Sequence, residues 1–200
     1  IKSQPLSKII GEMLSTSDNN TAELLLKEIG KQAGTGGSTA AGLKVIRATL
    51  TEWGLDLAGH ELVDGSGLSD DNRVTCAAML AVLQHQSFDD AVGSGLPVAA
   101  QAGGTLAEAF DGTAMAGVLR AKTGTLYNYD DGVGGRPAVK SLSGYVPVEG
   151  GGAIEFSLLL NGPQIAEQVE YRPIWDAFAA LMASYPSGPS AADLGPLVAS

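Results

Sequence analysis

"VLRAKTGTL", residues 118 to 126, marks the point at which the chain changes character. Upstream of it, apolar residues recur at helical intervals; from it onward, short apolar runs are separated by Gly-rich turns. "VLRAKTG", "AVKSLSGYVPV" and "AIEFSLLLN" read as three strands, and the turns at 132–135 and 150–152 make them hairpin-linked and antiparallel. The first strand carries Lys122, one of only 12 basic residues, followed at once by Thr123 and Gly124. A lysine on a strand edge is ordinary by itself. A cation, a hydroxyl and a residue without Cβ in succession offer more: two partners for a carboxylate, and an edge along which a peptide can lie as an added strand.

Working upstream, "SDNNTAELLLKEIG" (17–30) opens with cap-type residues, carries apolar Leu24, Leu25 and Ile29, and stops at Gly30, which predicts a capped helix. After a turn at 33–39, Leu43, Ile46, Leu50 and Trp53 mark a second helix that ends at Gly54. "VDGSGLSDDNRVT" (63–75) is loop, leading to a third helix over about 75–86, with a further one over 105–116. Downstream of the strands, Ile165, Val169, Trp175, Phe178 and Leu181 mark a long final helix, with Pro173 near its first turn or kinking it. Helices followed by strands closed with a helix predict an α+β protein whose sheet packs between helical layers.

With 44% hydrophobic residues in 200, the chain has one ordinary core to build. Its net charge of −10 argues against nucleic acid or an anionic membrane surface as partner and favours a small-molecule or peptide substrate. Cys76 is the one cysteine, set in an apolar helical run, so it has no partner for a disulfide in this chain. No cofactor or metal is expected: His60 and His85 lie far apart, and "HELVD" lacks the second histidine of a zinc-protease helix. Both histidines read as surface or cap residues. "DGSGL" and "VGSGL" lack the glycine frame of a Ser-His-Asp hydrolase elbow, and Ala121 stands where a phosphate-binding loop needs glycine.

What remains is Ser17-Asp18-Asn19 at a helix start and Lys122-Thr123-Gly124 on a strand. A serine acyl-enzyme needs a proton shuttle for the leaving amine, an amide to grip the substrate backbone, and a cation facing the terminal carboxylate. Ser17 suits the first task, Asn19 the second, Lys122 the third. Thr123 adds a hydroxyl, and the Thr125 N–H is a candidate oxyanion donor. Equally, Ser17 or Asp18 can serve only as the helix cap.

The two tripeptides, together with "PLSKIIGEMLSTSDNNTAELLLKEIG", "VDGSGLSDDNRVT", "LPVAAQAGGTLAEAF", "AGVLRAKTGTL" and "SLSGYVPVEGGGAIEFSLLLNG", resemble the low-molecular-mass penicillin-binding proteins that are D-alanyl-D-alanine carboxypeptidases of the S13 peptidase type, in an actinobacterial form. The resemblance runs from about residue 5 to 183, in the family's order. It implies a penicillin-recognising fold, an antiparallel sheet covered by helices beside a helical lobe. It also implies removal of the terminal D-Ala from peptidoglycan stem peptides, with cross-link cleavage in some members and acylation by β-lactams. On this chain Ser17 and Asn19 match the second motif and Lys122, Thr123 and Gly124 the third. "DGSGLS" (64–69) matches a conformational loop or, more simply, a turn.

One departure is central. The family's first motif, Ser-x-x-Lys, is absent, because no serine here has a lysine three positions later. Residues 1–185 therefore read as the C-terminal part of the catalytic domain, with 186–200 a tail, and the nucleophile and base are expected from an N-terminal segment of the same protein. Without it, sheet edge and core are expected to lie bare. Gly103 also stands where the family's version has an acidic residue. The expected partners are a stem peptide ending in D-Ala-D-Ala, β-lactams and that segment, and the expected location is outside the cytoplasm. A β-lactamase or esterase of the same fold, and a peptidoglycan-binding module without turnover, stay open at this point.

Overall fold

The computed structural model describes residues 2–127, 138–162 and 165–187. Four helices come first: α1 (Leu6–Thr16), α2 (Asn19–Ala33), α3 (Thr39–Glu52) and α4 (Cys76–Gln84). The last three begin at side-chain caps. Asp18 accepts from Asn20 N and Thr21 N, Ser38 from Ala41 N, and Thr75 from Ala78 N, each satisfying amides the first turn leaves without partners. α2 runs past Gly30, where the sequence pattern ends it. Gly30 is the crossing point with α3: a Cβ there would stand 2.6 Å from Gly42 N, so glycine at 30 serves close helix packing rather than termination. α1 has no side-chain cap and carries Gly11 at its centre. That glycine lies against Gly95 of a 3₁₀ turn at Gly93–Gly95, close enough that a Cβ on Gly95 would be 2.7 Å from Gly11 Cα.

The three expected strands are present as β1 (Arg120–Leu126), β2 (Ala138–Pro147) and β3 (Ala153–Gly162), in the order β1-β2-β3 and antiparallel. Their register sets Lys122 opposite Ser143, Gly124 opposite Ser141, and Ser143 opposite Ser157. Gly150, Gly151 and Gly152 all have positive φ in the β2–β3 turn; the turn expected at 132–135 lies outside the described residues. Side chains alternate between the two faces of the sheet. Ala121, Leu142 and Phe156 are buried in one core with Tyr171, Trp175, Ala179 and Met182 of α5 (Gln168–Ala183). α5 opens with a reciprocal capping box between Glu167 and Glu170 and continues through Pro173, which sits inside the helix.

No helix forms over 105–116. Leu106, Ala109, Phe110 and Met115 do go into the core, but on successive turns. Phe110 (φ 64), Gly112 (φ 70) and Gly117 (φ 74) take left-handed conformations that interrupt any right-handed helix, and Thr113 Oγ1 closes a turn onto Phe110 O at 2.7 Å. The helical spacing was a pattern of burial, met here without a helix. Among the described residues β3 pairs only with β2, and Leu24 and Val169 are exposed. No described helix is long and apolar enough to cross a membrane.

Candidate active site

Ser17, Asp18 and Asn19 are consecutive but have three different backbone roles. Ser17 closes α1 as its C-cap in the left-handed region (φ 59, ψ 48), a conformation that costs a non-glycine residue about 1–2 kcal/mol. Such strain persists where surrounding structure imposes it, and it clusters at functional sites. Asp18 is extended and is the N-cap of α2; its carboxylate also accepts from Thr21 Oγ1 at 2.7 Å. The Thr21 hydroxyl and then the Thr21 amide, with a lesser contribution from the Asn20 amide, hold the Asp18 carboxyl below the ordinary carboxylate range against the opposing effect of desolvation. Capping thus falls to Asp18. The Ser17 hydroxyl is left to face the cleft, and Asn19 stands at the first residue of α2.

Lys122 crosses to meet Ser17. Its Nζ donates to Ser17 Oγ at 2.7 Å and to Thr123 O at 2.6 Å. Burial pushes the amine below the ordinary lysine value of 10.5, and among the described residues no carboxylate forms an ion pair with it. A half-buried ammonium held by two neutral oxygens is a site short of one negative charge. Beside it, Thr123 Oγ1 donates to or accepts from Thr105 Oγ1 at 2.9 Å, and the Thr105 amide donates to Ser15 O at 3.1 Å. Thr105 therefore ties β1 to the end of α1. Only its hydroxyl after the Gly103-Gly104 pair hinted at this from the sequence.

Among the described residues β1 also has an open edge beyond Ala121. Ala121 N–H donates outward to Pro97 O at 3.0 Å, and in an antiparallel pair alternate residues turn their amides to the same side. The amides of Thr123 and Thr125 therefore point outward too, past the end of the segment that covers Ala121. That is the side on which an incoming peptide would pair and on which Thr125 N–H would meet an oxyanion. At Gly124 the nearest obstacle to a side chain is internal: a Cβ would run into Ser141 Oγ on β2.

All six residues marked out by the sequence, Ser17, Asn19, Lys122, Thr123, Gly124 and Thr125, line one cleft of about 1270 Å³. The opposite wall is the loop that begins at Asp64 and runs to Thr75, so "DGSGLS" is at once a set of turns and a wall of the site. The model of the D-Ala-D-Ala carboxypeptidase 3 (S13) family matches residues 1–185. This chain belongs to that family.

Curated relatives of this S13 chain include the D-alanyl-D-alanine carboxypeptidase of an Actinomadura species, 36% identical over 190 residues, and carboxypeptidase DacB of Mycolicibacterium smegmatis, 31% identical over 195. The matches cover 92% of this chain but 33% and 39% of those proteins, so the chain spans about a third of their length. Among solved structures, penicillin G-acylated Bd3459, a predatory endopeptidase from Bdellovibrio bacteriovorus in complex with immunity protein Bd3460, superposes with TM-score 0.67. At 23% identity, over 91% of this chain and 46% of that one, the likeness is one of fold. It shows that the sheet and helices of the S13 chain share the fold of that endopeptidase.

The S13 chain has a second, apolar cavity of about 370 Å³ between α2, α3, α4 and the segment 55–62. None of the six residues lies in it. His60 lines it, half-buried, with Nε2 3.1 Å from Thr75 Oγ1, which is more enclosed than the surface position the sequence suggested. His85 is the exposed C-cap of α4, stacked on Trp53 at 4.1 Å.

Proposed function

We propose that this chain is the C-terminal part of a serine D-Ala-D-Ala carboxypeptidase that acts on peptidoglycan stem peptides. The observation that carries the reading is the Lys122 ammonium, hydrogen-bonded to Ser17 Oγ at 2.7 Å and, among the described residues, without a carboxylate partner. The terminal carboxylate of D-Ala supplies the missing charge, with the Thr123 hydroxyl as second donor. The substrate backbone pairs with the open edge of β1, Asn19 grips its amide, and Thr125 N–H donates to the oxyanion. A preformed donor of that kind contributes roughly 3 kcal/mol in the transition state. Ser17 passes a proton to the leaving D-Ala amine. The acylating serine and its lysine come from polypeptide outside these 200 residues, from an N-terminal segment of the same protein, and β-lactams acylate the same serine. Since peptidoglycan is built outside the cytoplasm, the enzyme works there.

The test is intact-mass analysis of the complete polypeptide with and without benzylpenicillin, alongside D-Ala release from a peptide ending in D-Ala-D-Ala. A covalent adduct together with D-Ala release supports the reading. An adduct that hydrolyses rapidly without D-Ala release makes the protein a β-lactamase of this fold. Reversible peptide binding with no adduct makes it a binding module.

A further inference from the structure

α2 carries two residues of consequence one turn apart on the same face, Asn19 in the cleft and Glu23 just behind it. Glu23 Oε1 accepts from two consecutive loop amides, Gly65 N at 2.8 Å and Ser66 N at 2.9 Å. Hydrogen bonds to a carboxylate are roughly twice as strong as neutral ones. Gly65 is seated hard against the helix at this point: a Cβ would stand 2.9 Å from Ala22 O and 3.0 Å from Leu26 Cβ.

Beyond Gly65 the loop braces itself. Asp64 accepts from Gly67 N at 2.7 Å, Ser69 N at 2.6 Å and Asn72 Nδ2 at 3.0 Å, while Asn72 Oδ1 accepts from Val63 N at 3.0 Å. Among the described residues, the hydrogen bonds joining this self-braced unit to α2 are the two made by Glu23. Glu23 itself does not line the cleft, whereas Asp64 through Thr75 do, together with Lys122 through Leu126 of β1. A peptide laid along the open edge of β1 turns alternate side chains away from its own backbone, toward such a wall.

We infer that Glu23 is a positioning residue: by latching Gly65 and Ser66 to α2, it sets the distance between the 65–73 wall and β1, and so which side chain the cleft admits ahead of the terminal D-Ala-D-Ala. The inference rests on the proposed carboxypeptidase reading. It assigns Glu23 no contact with the substrate; its effect passes through the loop.

The experiment compares Glu23→Ala, Glu23→Gln and Gly65→Ala in the complete polypeptide. It measures kcat and KM for two peptides ending in D-Ala-D-Ala that differ only in a long or short preceding side chain, together with the thermal midpoint. Glu23→Ala is expected to raise KM for one peptide by about 10- to 100-fold and to change the ratio between the two, since small misplacements in a site have effects of that size. Glu23→Gln keeps an acceptor oxygen and should recover most of the selectivity, while Gly65→Ala, which pushes the loop off the helix, should reproduce the loss. Asp90→Ala is the structural control. Asp90 holds Ser87 N, Val92 N and Gly93 N in a turn outside the cleft, so its loss should lower the midpoint without moving selectivity. Unchanged selectivity in Glu23→Ala, or a change matched by Asp90→Ala, overturns the inference. Amide exchange of Gly65 and Ser66 gives a readout independent of turnover. If Glu23→Ala leaves their protection intact, the latch is wrong whatever the wild type catalyses; a wild type without D-Ala release or penicillin adduct defeats the carboxypeptidase reading instead.

Discussion

Lys122 Nζ donates to Ser17 Oγ at 2.7 Å, although the two are 105 positions apart in the sequence. A hydroxyl that accepts from an ammonium keeps its own proton free to donate, and the positive neighbour favours any developing negative charge on the oxygen. The pair therefore has the polarity a proton shuttle needs, and the cation that polarises it is also the one a substrate carboxylate would meet.

If the two act as one unit, their losses should not multiply. Ser17→Ala and Lys122→Ala in the complete polypeptide are each expected to slow acylation by a fluorescent penicillin about 10²- to 10³-fold, a loss typical of a preorganised polar group. The double variant should be little worse than the poorer single one. Losses that multiply would show two independent roles and remove the shuttle pairing. Near-normal acylation in Lys122→Ala would remove its carboxylate role.

The Lys122 shift gives a pH prediction with a definite sign. Burial lowers its folded-state value below the unfolded 10.5, so the cost of the buried charge is fully present at pH below the folded value and is relieved as pH rises from there toward 10.5. Binding a carboxylate requires the charged amine. Affinity for a peptide ending in D-Ala-D-Ala should therefore fall as pH rises through the folded Lys122 value, before 10.5 is reached. Calorimetric titration across that range checks it. The Lys122→Ala protein should show weak binding without the fall, and an identical fall in both proteins would assign it elsewhere.

The strands around Lys122 were legible because short apolar runs between glycines have little other reading, and α2 because its cap residues sit at its start. Several features were not. Ser17, Asp18 and Asn19 are all cap-type residues, and which of them takes the left-handed turn depends on α1 ending beside α2. α1 itself was hidden by Gly11, whose purpose is contact with Gly95. The apolar spacing over 105–116 reported burial correctly and conformation wrongly, since Phe110, Gly112 and Gly117 turn the chain left-handed. The contact between Thr123 and Thr105 spans 18 residues and is made only when β1 docks beside that segment.

Asp18 is expected to matter for folding and only indirectly for chemistry. Asp18→Ala removes the acceptor for Asn20 N, Thr21 N and Thr21 Oγ1 and should lower the thermal midpoint, whereas Asp18→Asn keeps a capping oxygen and should recover part of it. The Asp18 carboxyl is held below its ordinary 3.8, so its contribution is fully present above that value and is lost as pH falls through the folded value. The midpoint difference between wild type and Asp18→Ala should accordingly shrink below pH 3.8. A difference that persists unchanged in strong acid would mean the carboxylate is not what stabilises α2.

Gly124 has two explanations that a pair of substitutions can separate. A Cβ at this position would run into Ser141 Oγ, whereas Ser141 Cβ stands at 3.6 Å, an ordinary contact distance. Gly124→Ala should therefore cost about 1–3 kcal/mol by overpacking, a fall of about 2–4 °C in Tm per kcal/mol for a chain of this size. Adding Ser141→Ala removes the obstructing oxygen and should restore most of that loss, a coupling expected only of residues in contact. Acylation by penicillin then decides the functional question. If the double variant is restored in stability and in acylation, glycine at 124 serves the packing of β1 on β2. If it is stable but still poorly acylated, the extra methyl obstructs a ligand lying along the sheet, and Gly124 is needed by the substrate as well as by the fold.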